Sequence, residues 1–581
     1  MAGPTAPTAP KDPEKARPFF YILKDKDIFG ERQKDGTGIQ FIYESDGRLI
    51  NSAQITGNVT DKEELRLLET VEGFGRLVHS IGVSVETDRP EETAEFVFQM
   101  YGKKDLYGGG TNLTTSLKCD GMEHRIYLSD YRWTEDDHVP GQIKILFAAP
   151  ERMGKVSVRL FLNDGYEAPP EEEDLVIDMH SEEYCGMISR SLLQLGNPYR
   201  IRKAIEKSKA GKEVTLAYIG GSITQGAGAI PIHTECYAYK SFQLFQNRFS
   251  TQNNVRFIKA GVGGTPSELG MIRFDRDVLR EGERPDIVVI EFAVNDEGDE
   301  TKGVCYESLV RKVLKLPWKP AVVLLFSVFA NDWNLQERLR PVGDLYDLPM
   351  VSIRDAVTPQ FSLKCGEGRI LSKNQFFYDI FHPNNTGHTI MADCLQYLFE
   401  RCDAAEPARV GTFVEGMTEE QILSEKLSGP AVIGADFERI FLLDKKNRYV
   451  GAKIRAGGFT STDMELQSVE MDGNLTQTPK FPYNWMYDGS RLQMPGFEME
   501  ITCKSLFLIF KDSGEMDVGK ANVFVNDVYC MTADPHKNNW LHCNAVLLFW
   551  ETESRSHKVR IAVTEEDRNK KFTILGFGYT I

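Results

Sequence analysis

Apolar and polar positions change rhythm twice along this chain. Between residues 19 and 167 they alternate with period two in short runs: GIQFIYES (38–45), EFVFQMYG (95–102), HRIYLSDYRW (124–133), GQIKILFAAP (141–150) and KVSVRLFLNDG (155–165). Gly, Asp and Pro separate the runs, which predicts an antiparallel sheet with one buried face, a sandwich or jelly roll spanning 19–178. One stretch inside it, 61–71, has helical spacing. The segment EAPPEEEDLVID (167–178) is acidic and Pro-containing, and reads as a connection to the next domain.

From 181 to 405 apolar strands alternate with amphipathic segments of helical length. Strands are predicted at 214–220, 255–261, 286–292, 321–328 and 350–357, with a closing helix over 385–401. This is the signature of an α/β domain in which a five-stranded parallel sheet is covered on both faces, a flavodoxin-like three-layer arrangement. Residues 406–435, including EGMTEEQILSEKLSGP, form a linker. Period-two patterning then returns over 436–581 in RIFLLD, SLFLIFKD, KANVFVNDVYC, HKVRIAV and FTILGFGYTI, which predicts a second all-β sandwich. Neither flank shows a catalytic constellation, so both read as structural or binding domains.

The length of 581 residues exceeds what one hydrophobic core can serve, in keeping with three domains. Hydrophobic residues at 41% and charged residues at 26% are the balance of a globular protein. The formal charge is −17 and the basic residues are scattered, which argues against nucleic acid as a partner. The longest apolar run, AVVLLFSVFA (321–330), is about half of a membrane-crossing helix and reads as a buried strand. Residues 1–18, rich in Pro, Ala and Thr, lack the apolar centre of a secretory leader. They predict a flexible tail and a cytoplasmic protein, or a secreted one if they stand in place of a leader. The ten cysteines form no C-x-x-C pair and no Cys/His cluster, so free thiols are expected and no metal or other cofactor is implied. Nothing here sets the oligomeric state.

Chemistry enters with four short segments. Ile219-Gly220-Gly221-Ser222-Ile223-Thr224 lies where the first apolar strand of the α/β region ends, and a small-residue turn there projects a serine from the carboxyl edge of the sheet. Tyr378-Asp379-Ile380-Phe381-His382-Pro383 precedes the last helix. A serine hydroxyl needs a base, and the base needs a carboxylate to fix its tautomer; His382 and Asp379 supply both. Gly261-Val262-Gly263-Gly264-Thr265 follows the second strand and Val294-Asn295-Asp296 the third. The backbone N–H groups of Ser222 and Gly264 and the side-chain amide of Asn295 are suitable donors to a carbonyl oxygen that gains charge. Each segment alone is as readily a turn or a cap.

Together they resemble the SGNH/GDSL hydrolase superfamily, whose members supply Ser, Gly, Asn and His in this chain order. Here these are Ser222, Gly264, Asn295 and His382, with Asp379 as the acid. The resemblance covers about 220 residues and implies a metal-independent serine esterase. Gly221 departs from the common G-D-S form. His388, within the H-P-N-x-x-G-H pattern, reads as helix packing or capping rather than as the base. The β-rich flanks resemble those of multidomain carbohydrate esterases, and the loop Phe329-Ala330-Asn331-Asp332-Trp333 sets an aromatic plane beside polar groups. Release of O-acetyl groups from carbohydrates is therefore expected, with Trp333 and Asn331 as substrate contacts. A lipase or thioesterase, and an inactive carbohydrate-binding protein, are the alternatives. Trp485, Tyr487 and Trp540 also stand as cleft candidates, although most aromatic residues of an all-β domain are core.

Overall fold

A strand in which every residue is apolar or small cannot have a wet face, and Val214–Gly220 (VTLAYIG) is buried along its whole length. The computed structural model describes residues 15–43, 48–104, 108–171, 173–405, 417–490 and 494–581. In it this strand lies between Val255–Gly261 and Ile287–Glu291, parallel to both. Ala321–Phe326 and Met350–Ser352 continue the parallel sheet. A sixth strand, Leu192–Gln194, pairs antiparallel with Met350–Ser352 at the edge, beyond the five predicted. It escaped notice because it is three residues long. The apolar run predicted as a strand over 350–357 divides: Met350–Ser352 is strand, and Ser352 then caps the helix Ile353–Phe361 by accepting the Asp355 N–H.

Helices cover both faces. Tyr237–Phe249 and Asn385–Ala404 lie side by side on one face, where Phe245 meets Phe399 edge-on at 5.2 Å. Ser267–Phe274 and Val304–Leu314 contribute Leu269, Phe274, Leu309 and Val313 to the core of the other. No helix among the described residues is long and apolar enough to cross a membrane.

Before this unit, two antiparallel sheets share one core. The first runs in the order Phe19–Phe29, Met153–Leu162, Val78–Thr87, His124–Tyr127, and the second Glu31–Arg32, Gly38–Tyr43, Asp137–Phe147, Thr93–Gly102, Asn112–Lys118. Alternate residues such as Val83 and Val85, Phe96 and Phe98, Ile143 and Ile145 meet between them. The helical spacing at 61–71 becomes two short helices, Lys62–Leu67 and Val71–Leu77, each begun by its own cap, Asp61 and Thr70. The predicted tail falls almost wholly on residues 1–14, and the first part of the predicted linker on 406–416; both stretches lie outside the described residues. The second part of the linker holds a helix, Glu419–Ser428.

The C-terminal strands form an antiparallel sheet around the long pair Phe497–Asp512 and His542–Val563. Leu506, Leu508 and Phe510 point into this domain's own core. Phe507 and Ile509, on the opposite face of the same strand, join a second core with Ile219, Ile258, Leu269 and Phe274 of the α/β unit. The two domains therefore share a dry apolar layer. None of the ten cysteines is bonded to another, and seven are buried.

Candidate active site

Register places the site. Gly220 pairs with Gly261 on one side and Glu291 on the other, so three strands end abreast and their following loops are neighbours. The short helix Ser222–Gln225 sits directly over these ends. A Cβ at Gly261 would lie 2.0 Å from Gln225 N, so no side chain fits beneath the helix. The fully buried Arg273 guanidinium donates to the carbonyls of Gly220 and Ala260, fixing both strand ends just before their loops.

The loop before Asn385–Ala404 brings His382 to Ser222. Nδ1 of His382 lies 3.0 and 2.9 Å from the two oxygens of Asp379, and Nε2 lies 2.9 Å from Ser222 Oγ. A carboxylate only accepts, so Nδ1 carries the proton and Nε2 offers its lone pair to the serine hydroxyl. Asp379 Oδ1 also accepts the backbone N–H groups of Phe381 and His382, at 2.8 and 2.9 Å, which locks the loop around the carboxylate. His388 lies elsewhere. Its Nδ1 accepts the Tyr237 N–H and its Nε2 donates to Ala227 O, and burial pushes it down to about 3, so it is a neutral packing residue.

Asn295 stands against the Gly221–Ser222 turn. A Cβ on Gly221 would lie 2.0 Å from Asn295 Oδ1 and 2.4 Å from its Cγ, so the Asn295 amide occupies the space of a side chain at 221. That oxygen is buried and has no hydrogen-bond partner among the described residues. Below the serine, Thr224 donates to Glu291 at 3.1 Å, and burial pushes the Glu291 carboxyl up to about 7. Gly264, at φ 71°, is in the left-handed region that favours glycine. A Cβ there would meet Trp540 at 2.7 Å and His542 at 3.1 Å.

The structure thus brings Ser222, Asp379, His382, Gly264 and Asn295 to one rim. It treats the remaining candidates differently. Trp333 stacks on Phe329, which meets Phe381 edge-on, and Phe381 adjoins His382, so two rings stand between Trp333 and His382. Asn331 is exposed, and its side chain accepts the Trp333 N–H within its own turn. Trp485 and Tyr487 are core residues, whereas Trp540 is 44% exposed beside Gly264. No group of three or more metal-ligating side chains is present among the described residues.

Residues 218–390 match the family model of the GDSL-like lipase/acylhydrolase family, a span that contains Ser222, the loops of Gly264 and Asn295 and the Asp379–His382 loop. The central domain is a GDSL-like acylhydrolase, and the chain is a carboxylic ester hydrolase. Among solved structures, a two-domain esterase described as active on acetylated mannans is similar to this chain at 23% identity with a TM-score of 0.55. The match covers 68% of this chain and 98% of that one. A structure of the same description, co-crystallised with mannopentaose, gives a TM-score of 0.53 at the same identity and coverage. Comparison with curated protein sequences gives no match. About a third of this chain therefore lies outside the two-domain relative.

Sequence reasoning missed what the flanking domains bring to the GDSL-like domain. Gln467 donates to Gly263 O at 2.9 Å, and His542 Nε2 lies 3.0 Å from Gly264 O. Lys26, from the N-terminal strand Phe19–Phe29, donates to Phe377 O and to Asn374 O in the loop before His382. The only sequence signal was a polar and aromatic cluster, Asn538-Asn539-Trp540-Leu541-His542, interrupting a domain otherwise built of strands.

Proposed function

We propose that this chain removes small acyl groups, acetyl above all, from carbohydrates by a serine, histidine and aspartate mechanism. The observation that carries the reading is His382 bridging Asp379 and Ser222 with a carboxylate on one ring nitrogen and a hydroxyl on the other. In the first step the Ser222 proton passes to His382 Nε2 as Oγ attacks the ester carbonyl. Asp379 stabilises the resulting imidazolium. The N–H groups of Ser222 and Gly264 and the Asn295 amide receive the oxyanion, worth about 100- to 1,000-fold in kcat per donor. The sugar hydroxyl leaves with the proton held by His382, and a water activated by the same nitrogen then releases the acid.

The choice of sugar rests on two supports. The neighbour of similar fold is described as acting on acetylated mannans. The rim of this site carries aromatic planes on both sides, Trp540 beside Gly264 and Phe381, Phe329 and Trp333 leading away from His382. Aromatic faces of this kind suit the C–H faces of sugar rings better than a flexible acyl chain. The experiment is acetate release from acetylated mannan and xylan oligosaccharides followed by mass spectrometry, with Ser222→Ala as control. Turnover should vanish in the variant. Retained activity in that variant, or a rate on p-nitrophenyl esters that climbs with acyl length, would count against the reading.

A further inference from the structure

Gly264 sits on a turn whose last two carbonyls, those of Gly263 and Gly264, are met from outside its own domain. Within the GDSL-like domain, Gln225 Oε1 accepts the Gly263 N–H at 2.7 Å, the Val262 N–H donates to Gly220 O and Thr265 Oγ1 donates to Val262 O. The partners of the Gly263 and Gly264 carbonyls come from the C-terminal domain. Gln467, which is 8% exposed, donates from Nε2 to Gly263 O, while its Oε1 accepts the Cys543 N–H at 3.0 Å. Both ends of its amide are therefore engaged and its orientation is set. His542, 5% exposed, faces Gly264 O with Nε2 and Asp512 Oδ2 with Nδ1, the latter at 2.9 Å; both oxygens only accept, so a bond at each nitrogen requires a proton on each. Asp512 is fully buried and also accepts from Asn538.

The peptide plane makes this arrangement informative. The carbonyl of residue 263 and the N–H of residue 264 belong to one planar trans unit and point in opposite directions. A donor that fixes Gly263 O therefore fixes the direction of the Gly264 N–H. The same bond polarises the amide and strengthens it as a donor. His542 holds the next peptide plane through Gly264 O, so the two planes that meet at Gly264 Cα are both pinned from outside the catalytic domain. Glycine at φ 71° has little intrinsic preference to keep that geometry.

We propose that Gln467 and the Asp512–His542 pair are positioning residues for the oxyanion donor, so that the C-terminal domain completes the catalytic machinery of the domain before it. This rests on the serine esterase reading above. Its particular content is that these residues act in the transition state, when negative charge meets the Gly264 N–H, and not in ground-state binding.

The test is steady-state kinetics of the full-length protein on one acetyl ester, with Ser222→Ala, Gln467→Met, His542→Leu and His542→Gln side by side. Methionine keeps the length and volume of Gln467 and removes its donor. Loss of an aligned oxyanion donor predicts a fall of about tenfold or more in kcat for Gln467→Met and His542→Leu, with KM within about threefold. Glutamine can still donate to Gly264 O, so His542→Gln should recover a large part of the His542→Leu loss at matched thermal stability. Wild-type kcat in Gln467→Met, a rise in KM alone, or equal losses in the two His542 variants would overturn the inference. If Ser222→Ala is inert while these variants keep full kcat, this inference fails alone. If Ser222→Ala keeps turning over, the esterase reading fails first. Should Gln467→Met not fold, the two His542 variants decide.

Discussion

Gly221 stands where aspartate is common, and the reason is local. The Asn295 amide fills the volume that a side chain at 221 would need, with 2.0 Å from the position of a Cβ to Oδ1. Gly221→Ala should push that amide off line and lower kcat about 100-fold while the thermal midpoint stays close to wild type; unchanged turnover would show that the contact is immaterial. A second residue-scale effect lies just behind Asn295. Glu268 is 2% exposed, with Asp299 and Glu300 beside it, and burial and then the Asp299 charge push it up to about 9. Burial likewise pushes Asp296 up to about 7. Both values lie above those of an unfolded chain, so the folded protein holds protons that the unfolded chain releases. Their stabilisation is complete below about pH 4 and is lost as pH rises through 7 and then 9. Denaturation midpoints should therefore fall from weakly acidic to alkaline pH, and Glu268→Gln should flatten the upper part of that fall. A variant whose pH profile parallels wild type would refute it.

At the scale of elements, two loops of the site, the Gly263–Gly264 turn and the segment before His382, have an outside support. Lys26, 2% exposed on Phe19–Phe29, holds two carbonyls of the segment that leads to Asp379 and His382, and Tyr378 of that segment packs against the N-terminal core. Replacing Lys26 by Met leaves the buried Phe377 carbonyl unmet, while Asn374 O keeps the Asn384 amide, at a cost of about 1 to 3 kcal/mol. Urea unfolding should register that loss, and kcat should drop several-fold as the base loses its fixed seat; a neutral result in both would release Lys26 from this role. Here lies the boundary of what the sequence discloses. Ser222, Gly264 and Asn295 are legible because each sits in a short motif at a strand end, and strand ends in a parallel sheet share one edge, while His382 is legible from its D-x-x-H motif with Asp379 just before the last helix. Lys26, Gln467 and Asp512 are single residues in unremarkable runs and His542 is marked only by the polar and aromatic cluster around it; their relevance comes from domain packing across hundreds of residues. The edge strand Leu192–Gln194 was lost for lack of length, and the strand at 350–352 was overextended because Ile353, Ala356 and Val357 of the helix after it are also apolar and buried.

Across the whole molecule, the run SLFLIFKD explains itself only in the assembled chain. A strand with one wet face alternates, yet Leu506 to Phe510 are all buried, because even positions serve the C-terminal core and odd positions face the catalytic domain. Phe437, Ile440, Leu466 and Leu575 join the same shared layer. A chain ending at residue 405 would present the opposite side of that layer, Ile258, Leu269 and Phe274 among it, to water. Such a truncation should aggregate or bind a hydrophobic dye strongly, and should show no esterase activity; a soluble, active fragment would mean that the layer is dispensable. The same greasy seam has a consequence for ancestry and for engineering. Modules joined by a polar tether can be traded between enzymes like cassettes, but a partner welded along its flank cannot be exchanged without recutting both faces, so substrate range here should shift by changes within the last domain and not by its replacement.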